Sequence, residues 1–250
     1  MLRCLLLFTC CIFFNLPAQA QKIRVAVAAN AQFVAQVLKE AYEKETGTTV
    51  DLVIGSSGKL ATQIEQGAPF DVFLSADTFY PNALHRKGLT MGKPQVYAYG
   101  TLVLWTTRNL DLKKGLALIK DTGVKKIAIA NPQLAPYGAA ARKALQHYGL
   151  EAIAQPKLIF AESIAQVNQY VLSGVVDLGF TAQSVVREPA NVGKGKYRPV
   201  DPTVYPPIAQ STVVLKSAGR RNLAQAQQFY KFIFSPRAKL IFKKYGYYYK

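Results

Sequence analysis

KIRVAVAANAQFVAQVLKEAYEKETGTTVDLVIG, residues 22–55, sets how the rest of the chain is read. Residues 23–28 form a short apolar run in which Ile23, Val25 and Val27 are β-branched. From Ala31 the period changes: Val34, Val37, Leu38, Ala41 and Tyr42 recur at helical spacing, and residues 49–54 return to a strand pattern. Strands that are apolar at nearly every position need cover on both faces, and an amphipathic helix between two of them makes a parallel crossover. The predicted fold class is therefore α/β, with mainly parallel sheets flanked by helices.

The same alternation continues toward the C-terminus. Leu60, Ala61 and Ile64 mark a short helix ending near Gly67, residues 71–76 a strand, and a helix follows to about Lys87. Strands are predicted over residues 102–105, 127–130, 158–161 and 175–180, and helices over 139–148 and 164–172. A loop rich in Gly, Lys and Pro, residues 188–207, precedes a strand at 208–215, and two helices near 222–234 and 236–245 close the chain. The extended runs at 99–105 and 205–215 are candidate crossings between two lobes. Lobe 1 is expected to hold residues 21–101 plus 208–250, and lobe 2 residues 102–207, with a ligand cleft between them.

Toward the N-terminus, residues 1–20 read as an export signal. Arg3 supplies the positive region, residues 5–16 are apolar apart from Asn15, and Ala18-Gln19-Ala20 offers small residues at a cut that would leave Gln21 first. The apolar run is shorter than the ~20 residues that span a bilayer. Cys4, Cys10 and Cys11, the only cysteines, all fall in this segment, so the exported chain would have no disulfide, thiolate nucleophile or cysteine-bound metal. A lipid-anchored Cys10 or Cys11 is the weaker alternative, because Thr9 and Cys10 stand where such cut sites favour Gly, Ala or Ser.

Half of the 250 residues are apolar, which excludes a disordered chain, and the net charge of +17 implies an anionic partner without naming it. Four strand-to-helix junctions carry small or polar residues: Ala29-Asn30, Ser56-Ser57-Gly58, Pro136-Tyr137-Gly138 and Glu162-Ser163-Ile164. A helix N-terminus presents unpaired N–H groups and partial positive charge, and so can hold an anion without Lys or Arg. If the four junctions face one cleft, their N–H groups with the Ser57 and Asn30 side chains would surround a small oxyanion. Taken singly, each is better explained by ordinary N-capping, and only their convergence would favour an anion site.

Enzymatic readings are poorer. A phosphate loop would need Gly at Val53 and Ser or Thr at Leu60. There is no G-x-S-x-G elbow, and His85 and His147 sit in helical stretches. Asp71 and Asp77 look like a strand boundary and a helix cap, and Glu162 is expected to point away from a bound anion. An exported hydrolase is thus the less favoured alternative. The tail from Lys243 to Lys250 interleaves basic and aromatic residues as single-strand binders do, but a partly packed C-terminus is the preferred account.

The segments VAVAANA (25–31), GSSGKLATQIEQGAPFDVFLSAD (55–77), PYG (136–138), AESI (161–164), DLGF (177–180) and IFKKYG (241–246) resemble the periplasmic molybdate-binding proteins of ABC transporters. That resemblance implies a two-lobed type II periplasmic-binding-protein fold. It implies ligand contacts from Ala29, Asn30, Ser57 (hydroxyl and backbone), Tyr137 and Ile164, with no catalytic residue, no cofactor and no directly coordinated metal. It also implies an ABC permease as partner, no nucleic acid, a monomer, and a periplasmic location. Ala182 stands where some members place a tyrosine hydroxyl on the ligand, so one hydrogen bond would be missing. Molybdate and tungstate are full dianions near neutral pH and suit a site made only of donors. Hydrogen phosphate would want a carboxylate acceptor, and sulfate remains an alternative distinguished by size. On this reading Ser57→Ala should weaken binding with little effect on the melting temperature of the ligand-free protein.

Overall fold

The strand–helix alternation resolves, in the computed structural model, into two five-stranded sheets; residues 22–220 and 222–250 are described. The segment read as an export signal, its cut after Ala20, and Gln21 lie outside the described residues. The strands are β1 (Lys22–Ala28), β2 (Thr49–Gly55), β3 (Val72–Ser75), β4 (Gln95–Gly100), β5 (Leu102–Thr106), β6 (Ile127–Ala130), β7 (Leu158–Ala161), β8 (Leu178–Ala182), β9 (Lys196–Pro199) and β10 (Ile208–Val214). The helices are α1 (Gln32–Thr46), α2 (Ser57–Glu65), α3 (Phe79–Arg86), α4 (Pro136–His147), α5 (Glu151–Ala154), α6 (Ile164–Leu172), α7 (Gln183–Val186), α8 (Leu223–Ile233) and α9 (Pro236–Lys244).

The first sheet has the order β2-β1-β3-β10-β4 and the second β7-β6-β8-β5-β9. β10 is antiparallel to both its neighbours, and so is β5, while the remaining pairings are parallel. Each sheet thus has four strands running one way and one reversed. The reversed strands are the two that begin just after the chain changes sheets. The chain leaves the first sheet after Gly100, enters the second at Leu102, and returns between Pro199 and Ile208.

β1 shows why its sequence is apolar on both sides. Ile23, Val25 and Val27 pack with Leu38 and Tyr42 of α1, Phe229 of α8 and Phe242 of α9. Ala26, on the opposite face, packs with Leu60 and Ile64 of α2 and Leu84 of α3. Each fully buried large side chain contributes roughly 1.5–3 kcal/mol, so the two-sided burial fixes the strand's register as well as its place. The core of the second sheet runs on through Ala28, Ala29 and Ala76, which belong to the first.

Some boundaries differ from the sequence reading. Residues 175–177 form a bend, with the Val176 N–H on the Tyr170 carbonyl, and the strand starts at Leu178. α4 begins at Pro136, whose fixed φ suits the first helical position. β9 lies inside the segment read as a loop; its four residues are exposed and carry Lys, Arg and Pro, the composition of a protected edge strand. The C-terminal tail is packed onto the first lobe. Tyr245 and Tyr247 are buried, Tyr248 exchanges backbone hydrogen bonds with Tyr99, and Lys239 and Lys243 lie over the Tyr249 ring at 5.9 and 6.0 Å.

Candidate anion-binding site

All four junctions reach one small hollow. Ala29 and Asn30 come from the β1–α1 turn, Ser56 and Ser57 from β2–α2, Ala135 to Tyr137 from β6–α4, and Ile164 from β7–α6. Ala76, at the end of β3, adds a fifth segment. The hollow's cavity volume is about 10 Å³, about what one water molecule requires and far below the roughly 300–1,000 Å³ of sites for drug-sized molecules. Among the described residues, no charged side chain lines it.

The donors are backbone groups that the protein leaves unused. None of the four helix starts carries a side-chain cap. Ordinary capping, sufficient for each junction on sequence grounds, is therefore not what these residues do. Pro136 has no N–H, so the Tyr137 N–H is the first donor of α4. Gly138 lets that turn seat against β6, because a Cβ there would collide with the Ala130 carbonyl oxygen. Ser57 Oγ accepts from the Ala76 N–H at 3.0 Å, which orients the hydroxyl and leaves its own hydrogen to donate.

Asn30 departs from expectation. Its Nδ2 donates to Gln210 Oε1 at 2.9 Å and to Tyr247 Oη at 3.1 Å, so both amide hydrogens are used inside the protein. A carboxamide turned inward in this way leaves the backbone as Asn30's contribution to the hollow. Its carbonyl is held by Ser184 Oγ, which donates at 2.6 Å from the second lobe. Burial pushes the Tyr137 hydroxyl well above the usual phenol range and the Tyr247 hydroxyl up to about 12. Both stay neutral and keep their hydrogens at any physiological pH.

Glu162 does not line the hollow; its carboxylate pairs with Lys59 Nζ across the cleft mouth, both side chains being about half exposed. Two further bonds join the lobes beside it. The Gly58 N–H donates to the Leu134 carbonyl at 2.9 Å, and Tyr80 Oη donates to the Gln133 carbonyl at 2.7 Å. Ala182 is buried at the end of β8, outside the hollow's lining. His85 is bonded to Thr90, and Asp77 accepts from the Tyr80 N–H and Ser75 Oγ.

Sequence reasoning missed the supporting residues. Gln210, fully buried in β10, also donates from Nε2 to the Ala76 carbonyl at 3.5 Å, and so links the Asn30 and Ala76 segments. An amide in the middle of a buried strand was a visible signal. Tyr247 and Ser184 offered none, since their partners are remote in sequence.

A two-sheet fold with a hollow between its lobes is that of a solute receptor, and the chain belongs to the bacterial extracellular solute-binding protein family, whose pattern matches residues 23–248. It is similar to molybdate-binding protein ModA of Azotobacter vinelandii, 39% identical over 231 residues, which cover 92% of this chain and 91% of that one. ModA of Rhodobacter capsulatus is 38% identical, with 93% and 90% covered. The solved periplasmic molybdate-binding protein of Azotobacter vinelandii superimposes with a TM-score of 0.85 at 35% identity, over 91% of this chain and 99% of that one. The sulfate-binding protein SubI of Mycobacterium tuberculosis shares the fold, with a TM-score of 0.72 at 13% identity over 91% of this chain and 86% of that one.

Proposed function

We propose that this chain captures molybdate, and tungstate with it, outside the cytoplasm and delivers it to an ABC permease. The observation that carries the reading is the convergence of four uncapped helix N-termini on a hollow whose lining, among the described residues, holds no charge. The N–H groups of Asn30, Ser57, Tyr137 and Ile164 and the Ser57 hydroxyl make five donors. Hydrogen bonds to a charged acceptor contribute roughly 1.5–3 kcal/mol each, or about 8–15 kcal/mol before ordering and closure. A net ~8–12 kcal/mol corresponds to micromolar to nanomolar affinity.

A site without a carboxylate disfavours hydrogen phosphate, which carries a proton in need of an acceptor. Sulfate is the competing ligand, because it too is a full dianion; its smaller radius would leave some donors out of reach. The protein acts on this reading as a periplasmic monomer, freed of its signal after Ala20. Its lobes, residues 21–101 plus 208–250 and residues 102–207, close over the ion and present a joint surface to the permease.

Calorimetric titration of the purified protein with molybdate, tungstate, sulfate and phosphate tests the proposal. The expected result is tight binding of molybdate and tungstate and weaker or no binding of sulfate. Preference for phosphate, or no heat with molybdate, would overturn it.

A further inference from the structure

We infer that the Ser56 hydroxyl is a further ion-contacting donor of this site; the inference rests on the reading of the hollow as an oxyanion site. Ser56 is the N-cap residue of α2, with φ −69° and ψ 148°, the backbone from which a serine hydroxyl ordinarily accepts from an N–H two or three residues on. It makes no such bond. One candidate partner, the Gly58 N–H, is committed to the Leu134 carbonyl across the cleft.

Ser56 is only 3% exposed, and its Oγ has no hydrogen-bond partner. A buried hydroxyl left this way is destabilising, and such groups are rare unless something else completes them. Asn168 Nδ2 and Thr212 Oγ1 are also buried without partners, but neither residue lines the hollow, whereas Ser56 does. The missing partner therefore belongs in the hollow. The group there that suits a hydroxyl donor beside backbone N–H groups is an oxygen of a fully deprotonated tetrahedral oxyanion.

This gives the two adjacent serines different duties. Ser57 Oγ is oriented by the Ala76 N–H and serves both the protein and the ion. Ser56 Oγ serves the ion alone. It also supplies a side-chain donor to a site in which Asn30 has none to spare and Ala182 provides none.

The test compares wild type with Ser56→Ala in the full protein, using molybdate as the probe, with ligand-free melting curves alongside. We expect Ser56→Ala to weaken molybdate binding at least tenfold, equivalent to about 1.4 kcal/mol. The ligand-free melting temperature should stay level or rise, because the change removes a buried hydroxyl that has no partner. A capping role predicts the opposite pattern, unchanged affinity with a lower ligand-free melting temperature, and would overturn the assignment. If wild type binds molybdate and Ser56→Ala binds it equally well, the assignment alone fails. Absence of molybdate binding by wild type overturns the site reading and the assignment together.

Discussion

Replacing Ser57 with alanine removes one atom that does two jobs, and the two losses can be read separately. Toward the ion, the variant loses a hydroxyl donor to a charged acceptor, worth roughly 1.5–3 kcal/mol, or about 10- to 150-fold in affinity. Toward the protein, it leaves the Ala76 N–H without the acceptor that sits 3.0 Å away. Ala76 is 2% exposed, so water does not readily replace that acceptor. A buried donor left unsatisfied costs about 1–3 kcal/mol. For a chain of this size each kcal/mol shifts the melting temperature by about 2–4 °C. The sequence alone suggested little change in the ligand-free melt; the Ala76 contact reverses that expectation. Calorimetric titration with molybdate reads the first loss, and a ligand-free thermal melt reads the second. Affinity within about threefold of wild type would remove Ser57 from the ion, since even the lower estimate exceeds tenfold. An unchanged melt would refute the argument from the Ala76 N–H.

Since amide and hydroxyl donors do not titrate near neutrality, molybdate affinity should be flat from about pH 6 to about pH 9, whereas a tenfold change measured by titration would reveal an ionising contact. Stability should fall above about pH 10: tyrosines ionise there in the unfolded chain, while burial keeps Tyr247 protonated up to about 12, so the unfolded state binds fewer protons. Lys59→Met should weaken binding by up to about fivefold at low salt, because a half-exposed pair contributes roughly 0.2–1 kcal/mol and its loss leaves Glu162 unpaired at the cleft mouth. Adding Glu162→Gln should recover part of that loss, and titrations of the single and double variants at low and high salt check both statements. Gly138→Ala should lower the melting temperature and weaken molybdate binding more than tenfold, since overpacking against the Ala130 carbonyl costs about 1–3 kcal/mol and displaces the Tyr137 N–H. A melt and a titration at wild-type values would show that α4 has room to shift.

The two-sheet plan was legible because β6 and the Val25–Ala28 part of β1 are buried on both faces and therefore read as apolar runs. β9 was not, because its residues are exposed and its pairing with β5 depends on backbone groups that carry no sequence pattern. The junctions were legible as helix starts for the same local reason that makes them ambiguous: Ser, Asn and Gly suit caps and anion contacts alike. What resolves the ambiguity is a set of absent bonds, at Ser56 and Ser163 above all, and absence is invisible in sequence. Asn30 shows the converse. Its residue type suggested a ligand contact, but Gln210 and Tyr247, 180 and 217 residues away, claim its amide.

The division between a strongly cationic protein and an uncharged hollow bears on how such a site chooses its ion. The net charge of +17 raises the local concentration of any anion, so it speeds capture without discriminating. A lysine inside the hollow would likewise attract sulfate, phosphate and molybdate with little regard for shape. Fixed N–H groups are more selective, because each satisfies one lone pair in one direction and none can accept a hydrogen bond from a protonated ligand. Discrimination by protonation state then follows from the donors themselves, whereas discrimination by size follows from how far apart the lobes hold them. Three bonds join the lobes beside the hollow and bear on that separation: Gly58 of α2 to Leu134, Tyr80 of α3 to Gln133, and Ser184 of α7 to Asn30. A choice between molybdate and the smaller sulfate made in this way would rest on groups beside the ion that need not touch it.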